Sequence, residues 1–250
     1  MTAFEYYWLP PPNKRSLSCN EVHVWHACLD RNGADVQSLE GILSADERGR
    51  AQRFRFDKDR QRFIVARGVL RLILASYLEL EPGQLRFCYG PHGKPGLDTP
   101  STQKTLSFNA SHCDGIALYA VARQRKVGID IERIRTDFAY EPIAERFFSP
   151  RENTMLRGLQ TAQVRGRAFF NCWTRKEAYI KAKGEGLSLP LDQFDVSLAP
   201  GDPAMLLESR GDPLEASRWS LHDLDPGPDY AAALAVEGHG VRLARWEWRG

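Results

Sequence analysis

The chain has 250 residues, 42% of them hydrophobic, with a net charge of only +2. That is enough apolar content for a substantial core, which excludes a disordered chain, and enough length for one large domain or two small ones. Cys19, Cys28, Cys88, Cys113 and Cys172 are odd in number and scattered without a CxxC, so neither a disulfide framework nor a thiolate zinc site is indicated and a reducing cytoplasm fits.

The N-terminal "MTAFEYYWLPPPNKRS" lacks the basic-then-apolar order of a signal peptide, and no run of about 18 apolar residues follows. A soluble, unexported chain with no membrane partner is expected. "EVHVWHACL" (21–29) alternates Val22, Val24, His26 and Cys28 against His23, Trp25, Ala27 and Leu29, and reads as an early strand with two fairly apolar faces. "SADERGRAQRF" (44–54) opens with Ser44 and Glu47 in capping-box spacing, which starts a helix. After the charged "DKDR" break (57–60), "RFIVARGVLRLILASYL" (62–78) is a long amphipathic helix, with Gly68 permitting close packing. Residues 48–71 carry eight Arg and one Lys against Asp57 and Asp59, a local excess of +7 that leaves the remainder near −5. Such polarity suits an anionic ligand, or else a solvated helical face.

Gly and Pro then punctuate 82–96, and "LDTPSTQK" (97–104) extends the irregular stretch up to "LSFNASH" (106–112). "GIALYAVA" (115–122) and "KVGIDIERI" (126–134), with only a short turn between them, read as an antiparallel hairpin. "SPRE" (149–152) begins a helix with Ser149 as N-cap, Pro150 in the first turn and Glu152 closing the box. The helix containing "WTRKEAYIKAKGEGLSLPLD" (173–192) comes next. Beyond it "FDVSL", "MLLES", "RWSLHDL", "YAAALAV" and "VRLARWEW", separated by Gly and Pro turns, form a strand-rich end.

"AQRFRFDKDRQRF" (51–63) and "AERFFSPRE" (144–152) share Ala-x-Arg-Phe before a polar break, and a long amphipathic helix follows each. This internal similarity suggests two related α+β halves, 1–113 and 114–250, with the boundary near 111–115. A cleft between such halves is a common place for a ligand.

In "VGIDIE" (127–132), Val127, Ile129 and Ile131 share one strand face, so Gly128, Asp130 and Glu132 share the other. Two carboxylates about 6.7 Å apart along the strand can converge on one hard cation, or can simply line a wet acidic face. "GKP" (93–95) presents Lys94 as a point charge between a flexible and a rigid residue. "FNASH" (108–112) ends a strand with Asn109, Ser111 and His112, a set of donors able to hold phosphate oxygens. The i,i+4 pair Glu177 and Lys181 is either an ordinary helix-stabilising pair or a base beside a cation. With no GxSxG and no HExxH, hydrolase and zinc-protease readings are set aside.

GKP, FNASH, VGIDIE, RFFSPRE and WTRKEAYIKAKGEGL, in that order and at these separations, resemble the surfactin-synthetase-activating type of 4′-phosphopantetheinyl transferase. The resemblance covers about 44–196. It implies a pseudo-duplicated α+β fold, each half a small antiparallel sheet packed with a long helix, and coenzyme A between the halves. It implies transfer of phosphopantetheine from coenzyme A to a serine of an apo acyl, polyketide or peptidyl carrier protein, releasing adenosine 3′,5′-bisphosphate, with Mg²⁺. Carried over by motif, Asp130, Glu132 and Glu177 would hold the metal, Glu177 and Lys181 would be catalytic, and Lys181 would sit beside the pyrophosphate. Lys94, Asn109, Ser111 and His112 would surround the phosphates and nucleotide, and Arg50 would meet a coenzyme A phosphate. This chain has Glu47 where some members carry a lysine, and Phe63 where some carry a hydroxyl residue. Both halves lie in one chain, so a monomer is expected. The rival reading, a basic nucleic-acid-binding module, rests on the 48–71 charge, but no RNA- or DNA-binding motif accompanies it.

Overall fold

The computed structural model describes residues 8–12, 15–98 and 106–250. The irregular stretch expected at 97–104 therefore lies, beyond Asp98, outside the described residues. The first part of the chain runs β1 (Glu21–Cys28), α1 (Gly33–Gly41), α2 (Ala45–Ala51), α3 (Asp57–Leu78), β2 (Phe87–Tyr89), β3 (Pro95–Leu97), β4 (Leu106–Cys113) and β5 (Ile116–Arg123). The second runs β6 (Val127–Arg133), α4 (Glu141–Phe147), α5 (Pro150–Gly158), α6 (Ala162–Lys183), β7 (Phe194–Val196), β8 (Leu206–Ser209), β9 (Trp219–Leu224), β10 (Tyr230–Glu237) and β11 (Arg242–Glu247). The "DKDR" segment is not a break but the first turn of α3, where Asp57 and Asp59 complement the helix dipole.

Two main sheets carry the fold, ordered β11-β1-β5-β4 and β6-β10-β9. All their pairings are antiparallel except β1 with β11. Strand alternation sorts the side chains into layers. Val22, Val24, Leu118 and Ala120 from the first sheet meet Ile129, Ile131 and Leu234 from the second, forming a core between the sheets. On the outer face of the first sheet, Trp25, Tyr119 and Val121 pack with Val65, Val69 and Leu70 of α3. On the outer face of the second, Ala231, Ala233 and Ala235 pack with Ala178 and Ala182 of α6. The result is an α+β fold of two pseudo-equivalent halves, each a small sheet with one long helix.

The strand pairing is a second correction. β5 and β6 do not form a hairpin, because β5 lies inside the first sheet with both edges taken by β1 and β4, and β6 pairs instead with β10. The proposed division at 113/114 falls in the Asp114–Gly115 turn of the β4–β5 hairpin, where both residues have positive φ. The chain changes sheet only at 124–126, and β11 later returns to the first sheet. Among the described residues, no helix is long and apolar enough to cross a membrane.

Candidate functional site

Helix α6 is capped at its start by Thr161, whose side chain accepts from Val164 N–H, and at its end by Gly184 in the left-handed region with φ 77°. Its first half is fixed by aromatic packing. Phe169 stacks on Tyr140 and Phe148 with centroids 5.2 Å away in each case, and Trp173 lies over the same ring.

Two of its charged residues point inward. Lys176 is fully buried, 2.8 Å from Glu152 Oε2, and donates to Leu191 O and Phe194 O. Glu152 closes the Ser149 capping box and also accepts from Val196 N–H, so this buried pair ties α5, α6 and β7 together. Arg175 is also buried and makes a bidentate contact with Asp223. Lys176 and Arg175 are therefore supports of the helix, and Glu177 and Lys181 are the charges left facing β6.

Gly128 brings that face of the helix down. A Cβ there would lie 2.1 Å from Ala178 O and 2.3 Å from Ala182 N, both atoms of helix backbone that cannot swing aside. The backbones of β6 and α6 are thus nearly in contact, with Glu177 and Lys181 beside Asp130. Gly128→Ala is expected to force the helix off the strand and lower stability by about 1–3 kcal/mol, measured by urea unfolding. An unchanged midpoint would mean the two backbones can part without cost.

At the centre, Lys181 Nζ donates to Asp130 Oδ1 at 2.5 Å and to Ser111 Oγ at 3.1 Å, while Ser111 Oγ donates to the same Asp130 oxygen at 2.9 Å. Asp130 is 3% exposed, and its second oxygen, Oδ2, is buried with no hydrogen-bond partner. Lys181 is therefore paired with Asp130 across the strand, not with Glu177 along its own helix. Glu177 is held above the usual carboxylate range, at about 6, by burial first and then by the negative charges of Asp130 and Glu132, with Lys181 opposing. Glu132 is raised too, by burial and by Asp130. Among the described residues no three His, Cys, Asp or Glu side chains stand close enough to form a metal-binding group, so the three carboxylates are neighbours by field rather than by shared contact.

The other expected residues divide. Asn109 is buried, and its side-chain oxygen accepts from Ile129 N–H at 2.9 Å, stitching β4 to β6. Lys94 donates to Val127 O, Lys181 O and Ala182 O, and burial, then Lys126, lowers its pKa to about 8. His112 alternates to the strand face opposite Asn109 and Ser111, and its pKa is lowered by desolvation and by the Lys181 charge. Arg50 donates to the Tyr89 hydroxyl at 3.1 Å, in the first half. From the same basic stretch, Arg67 and Arg71 turn onto Glu47 and Arg62 onto Asp30.

Sequence reasoning did not single out Cys113. Its thiol lies 3.8 Å from Glu132 Oε2 and is pushed up to about 11, mainly by burial. The alternation that places Asn109 and Ser111 on one face of β4 also places Cys113 there, and was the signal available.

A cleft of about 260 Å³ opens beside this centre, lined by His92, Lys94, Asn109, Glu177, Lys181 and Gly186 among others. A larger one, about 670 Å³, lies in the first half around Ser44, Glu47, Arg71 and Phe87, away from the carboxylates. The smaller cleft is the one that Glu177 and Lys181 border. A carboxylate whose pKa is raised to about 6, beside a buried carboxylate and an ammonium, can take a proton from a hydroxyl while oxyanions are neutralised nearby.

Two family models adjoin along the chain, "4′-phosphopantetheinyl transferase, N-terminal" over residues 32–124 and "4′-phosphopantetheinyl transferase superfamily" over 126–235. Their junction coincides with the change of sheet at 124–126. The chain is similar to 4′-phosphopantetheinyl transferase HetI of Nostoc sp., with 41% identity over 98% of this chain and 99% of that one. It is also similar to 4′-phosphopantetheinyl transferase Sfp of Bacillus subtilis, with 31% identity over 86% of this chain and 92% of that one. Among solved structures, a holo-(acyl-carrier-protein) synthase from Bacillus anthracis in complex with CoA (3′,5′-ADP) aligns with 46% of this chain and 96% of its own, at TM-score 0.33 and 22% identity. A relative 41% identical along nearly its whole length, with family models covering both sheets in turn, means that the chain belongs to the 4′-phosphopantetheinyl transferase superfamily.

Proposed function

We propose that this chain moves the 4′-phosphopantetheine group of coenzyme A onto a serine hydroxyl of an apo carrier protein at the Ser111, Asp130, Glu177 and Lys181 centre. The observation that carries the reading is the buried Asp130 carboxylate, with one oxygen held by Ser111 and Lys181 and the other without a partner. An orphaned buried carboxylate oxygen, flanked by two carboxyls that its charge raises, fits a hard divalent cation. Asp130 would be the central Mg²⁺ ligand, with Glu132 and Glu177, which share no contact with it here, turning in beside it, and the ion when bound would neutralise diphosphate charge.

The chain's own groups supply the rest. Glu177 takes the proton of the carrier serine, and the serine oxygen bonds to the phosphorus that carries pantetheine. The bond from that phosphorus to the bridging oxygen breaks, and adenosine 3′,5′-bisphosphate leaves with the electron pair. Lys181 stays beside the departing phosphate and offsets its charge. Ser111 keeps Lys181 and Asp130 in register. Asn109 contributes through its bridge between β4 and β6, and His112, on the other face of β4, is proposed as a nucleotide contact.

Arg50 is proposed as a phosphate contact from the first half. Arg50→Ala is expected to weaken coenzyme A binding by about tenfold or more, the worth of one charge-assisted hydrogen bond, read by calorimetry; unchanged affinity in a folded variant would remove Arg50 from the site. The five cysteines are free thiols, which supports a reducing, cytoplasmic setting. Both halves of the centre come from one chain, which supports a monomer.

The test of the function is incubation with coenzyme A, Mg²⁺ and a panel of apo fatty-acid, polyketide and peptide carriers, read by mass. A gain of one phosphopantetheine on a carrier is expected, with adenosine 3′,5′-bisphosphate in equal amount. No gain on any carrier would overturn the reading.

A further inference from the structure

Gly184 turns the chain away at the end of α6, with φ 77° and its N–H on Ile180 O at 2.9 Å. Such an ending leaves the last carbonyls of a helix without donors of their own helix. Two of them, Lys181 O at 2.5 Å and Ala182 O at 3.1 Å, accept from the Lys94 ammonium, which also reaches Val127 O at 3.3 Å. An ammonium has three N–H donors, and these three carbonyls engage all of them. A positive charge at a helix C-terminus is also favoured by the helix dipole.

The three partners are not equivalent surface carbonyls. Lys94 comes from the β2–β3 turn of the first half. Val127 opens the strand that carries Asp130, and Lys181 is the residue whose side chain holds Asp130. One ammonium therefore joins the two elements whose side chains form the centre. The fit around it is close on both sides. A Cβ on Gly184 would lie 3.3 Å from Lys94 Cδ, and one on Gly186, where φ is 58°, would lie 3.2 Å from His92 Cβ. The two glycines of "KGEGL" leave room for the β2–β3 turn to seat against the helix end.

We propose that Lys94 is a positioning residue, which fastens the end of α6 to the start of β6 and so sets Lys181 and Glu177 against Asp130, rather than a contact to coenzyme A. The consequence for turnover rests on the function proposed above; the fastening itself does not. The two roles differ in what they cost when removed. A phosphate contact is lost from affinity. A fastening is lost from the order of the helix end and from the rate, because small displacements of reacting groups reduce turnover more than they reduce binding.

The experiment uses Lys94→Met, which keeps the aliphatic stem and removes the charge. Amide hydrogen exchange at 181–186 in the ligand-free protein is expected to quicken by about tenfold or more. Turnover at saturating coenzyme A is expected to fall by about tenfold, with the calorimetric affinity for coenzyme A within about threefold of the parent. Unchanged exchange at 181–186 would overturn the proposal, as would a tenfold loss of affinity with turnover preserved. Should the variant fail to fold, the unaltered protein decides: 181–186 is expected to stay protected when coenzyme A and Mg²⁺ bind, and a loss of protection would mean that Lys94 leaves the carbonyls for the ligand. Should the unaltered protein transfer to no carrier, the function falls while the exchange comparison still decides the fastening.

Discussion

Asp130→Ala is expected to lower phosphopantetheine transfer by on the order of 10³-fold or more, with the fold retained. Asp130 is the carboxylate on which the other site residues converge. Lys181 and Ser111 bond to it, and its charge raises both Glu132 and Glu177. Removing it would delete the central ligand of the proposed metal site and release Lys181 from its place. Stability should change little, because two terms oppose. The ion pair with Lys181 is lost, yet that side chain is 29% exposed and can turn to water. Against this, the unpartnered Oδ2 disappears, and a buried polar atom without a partner costs about 1–3 kcal/mol. Single-turnover transfer and a thermal melt of the same preparation measure the two quantities. Chelation is the companion test: the parent should lose transfer in excess EDTA and regain it with Mg²⁺. Undiminished transfer in EDTA would remove the metal, and normal transfer by the variant would remove Asp130 from the centre.

What the sequence made legible was whatever depends on near neighbours. The period-two alternation of "VGIDIE" places Gly128, Asp130 and Glu132 on one face, and they face α6. The capping boxes at Ser44 and Ser149 are local, and both form. The acids that close those boxes have second duties that spacing could not reveal. Glu47 accepts from Arg71, 24 residues along the chain, at 2.7 Å, and Glu152 neutralises the buried Lys176. Strand pairing was misread for a related reason. A short connection allows a hairpin, but β5 has no free edge once β1 and β4 have paired with it, and that is decided by residues far away in sequence.

The same limit governs the site. On helix spacing alone Glu177 and Lys181 form a pair, since residues four apart are neighbours on the helix surface. The close approach at Gly128 brings a nearly buried carboxylate within reach of Lys181, and a buried charge needs a partner more than a half-buried one does. Lys181 goes to Asp130. Lys94 shows the converse: "GKP" reads as a lysine presented outward, but its ammonium turns in to the carbonyls at the end of α6. Both outcomes follow from unsatisfied groups created by tertiary packing, which a linear pattern does not contain.

Glu177→Gln is expected to reduce transfer by about 10²-fold or more and, in the metal-free protein at neutral pH, to raise stability. Glutamine keeps the shape of the side chain but cannot take the serine proton. The stability effect follows from the raised pKa. In the folded chain Glu177 titrates at about 6, against 4.5 for the free group, so the folded state holds the proton more tightly than the unfolded one. That contribution is fully present below pH 4.5 and is lost as the pH rises through about 6. Above that range an ionised carboxylate is confined near Asp130 and Glu132, and replacing it with an amide relieves on the order of 1 kcal/mol, after allowance for its partial exposure. The gain should be visible at pH 7 and absent at pH 4. An ordinary helix pair predicts the opposite on both counts, a loss of about 0.2–0.5 kcal/mol with turnover intact. Urea unfolding at the two pH values, beside single-turnover transfer with Mg²⁺, separates the readings. Near-normal transfer together with reduced stability at pH 7 would make Glu177 a surface partner of the helix and leave the carrier serine without its base.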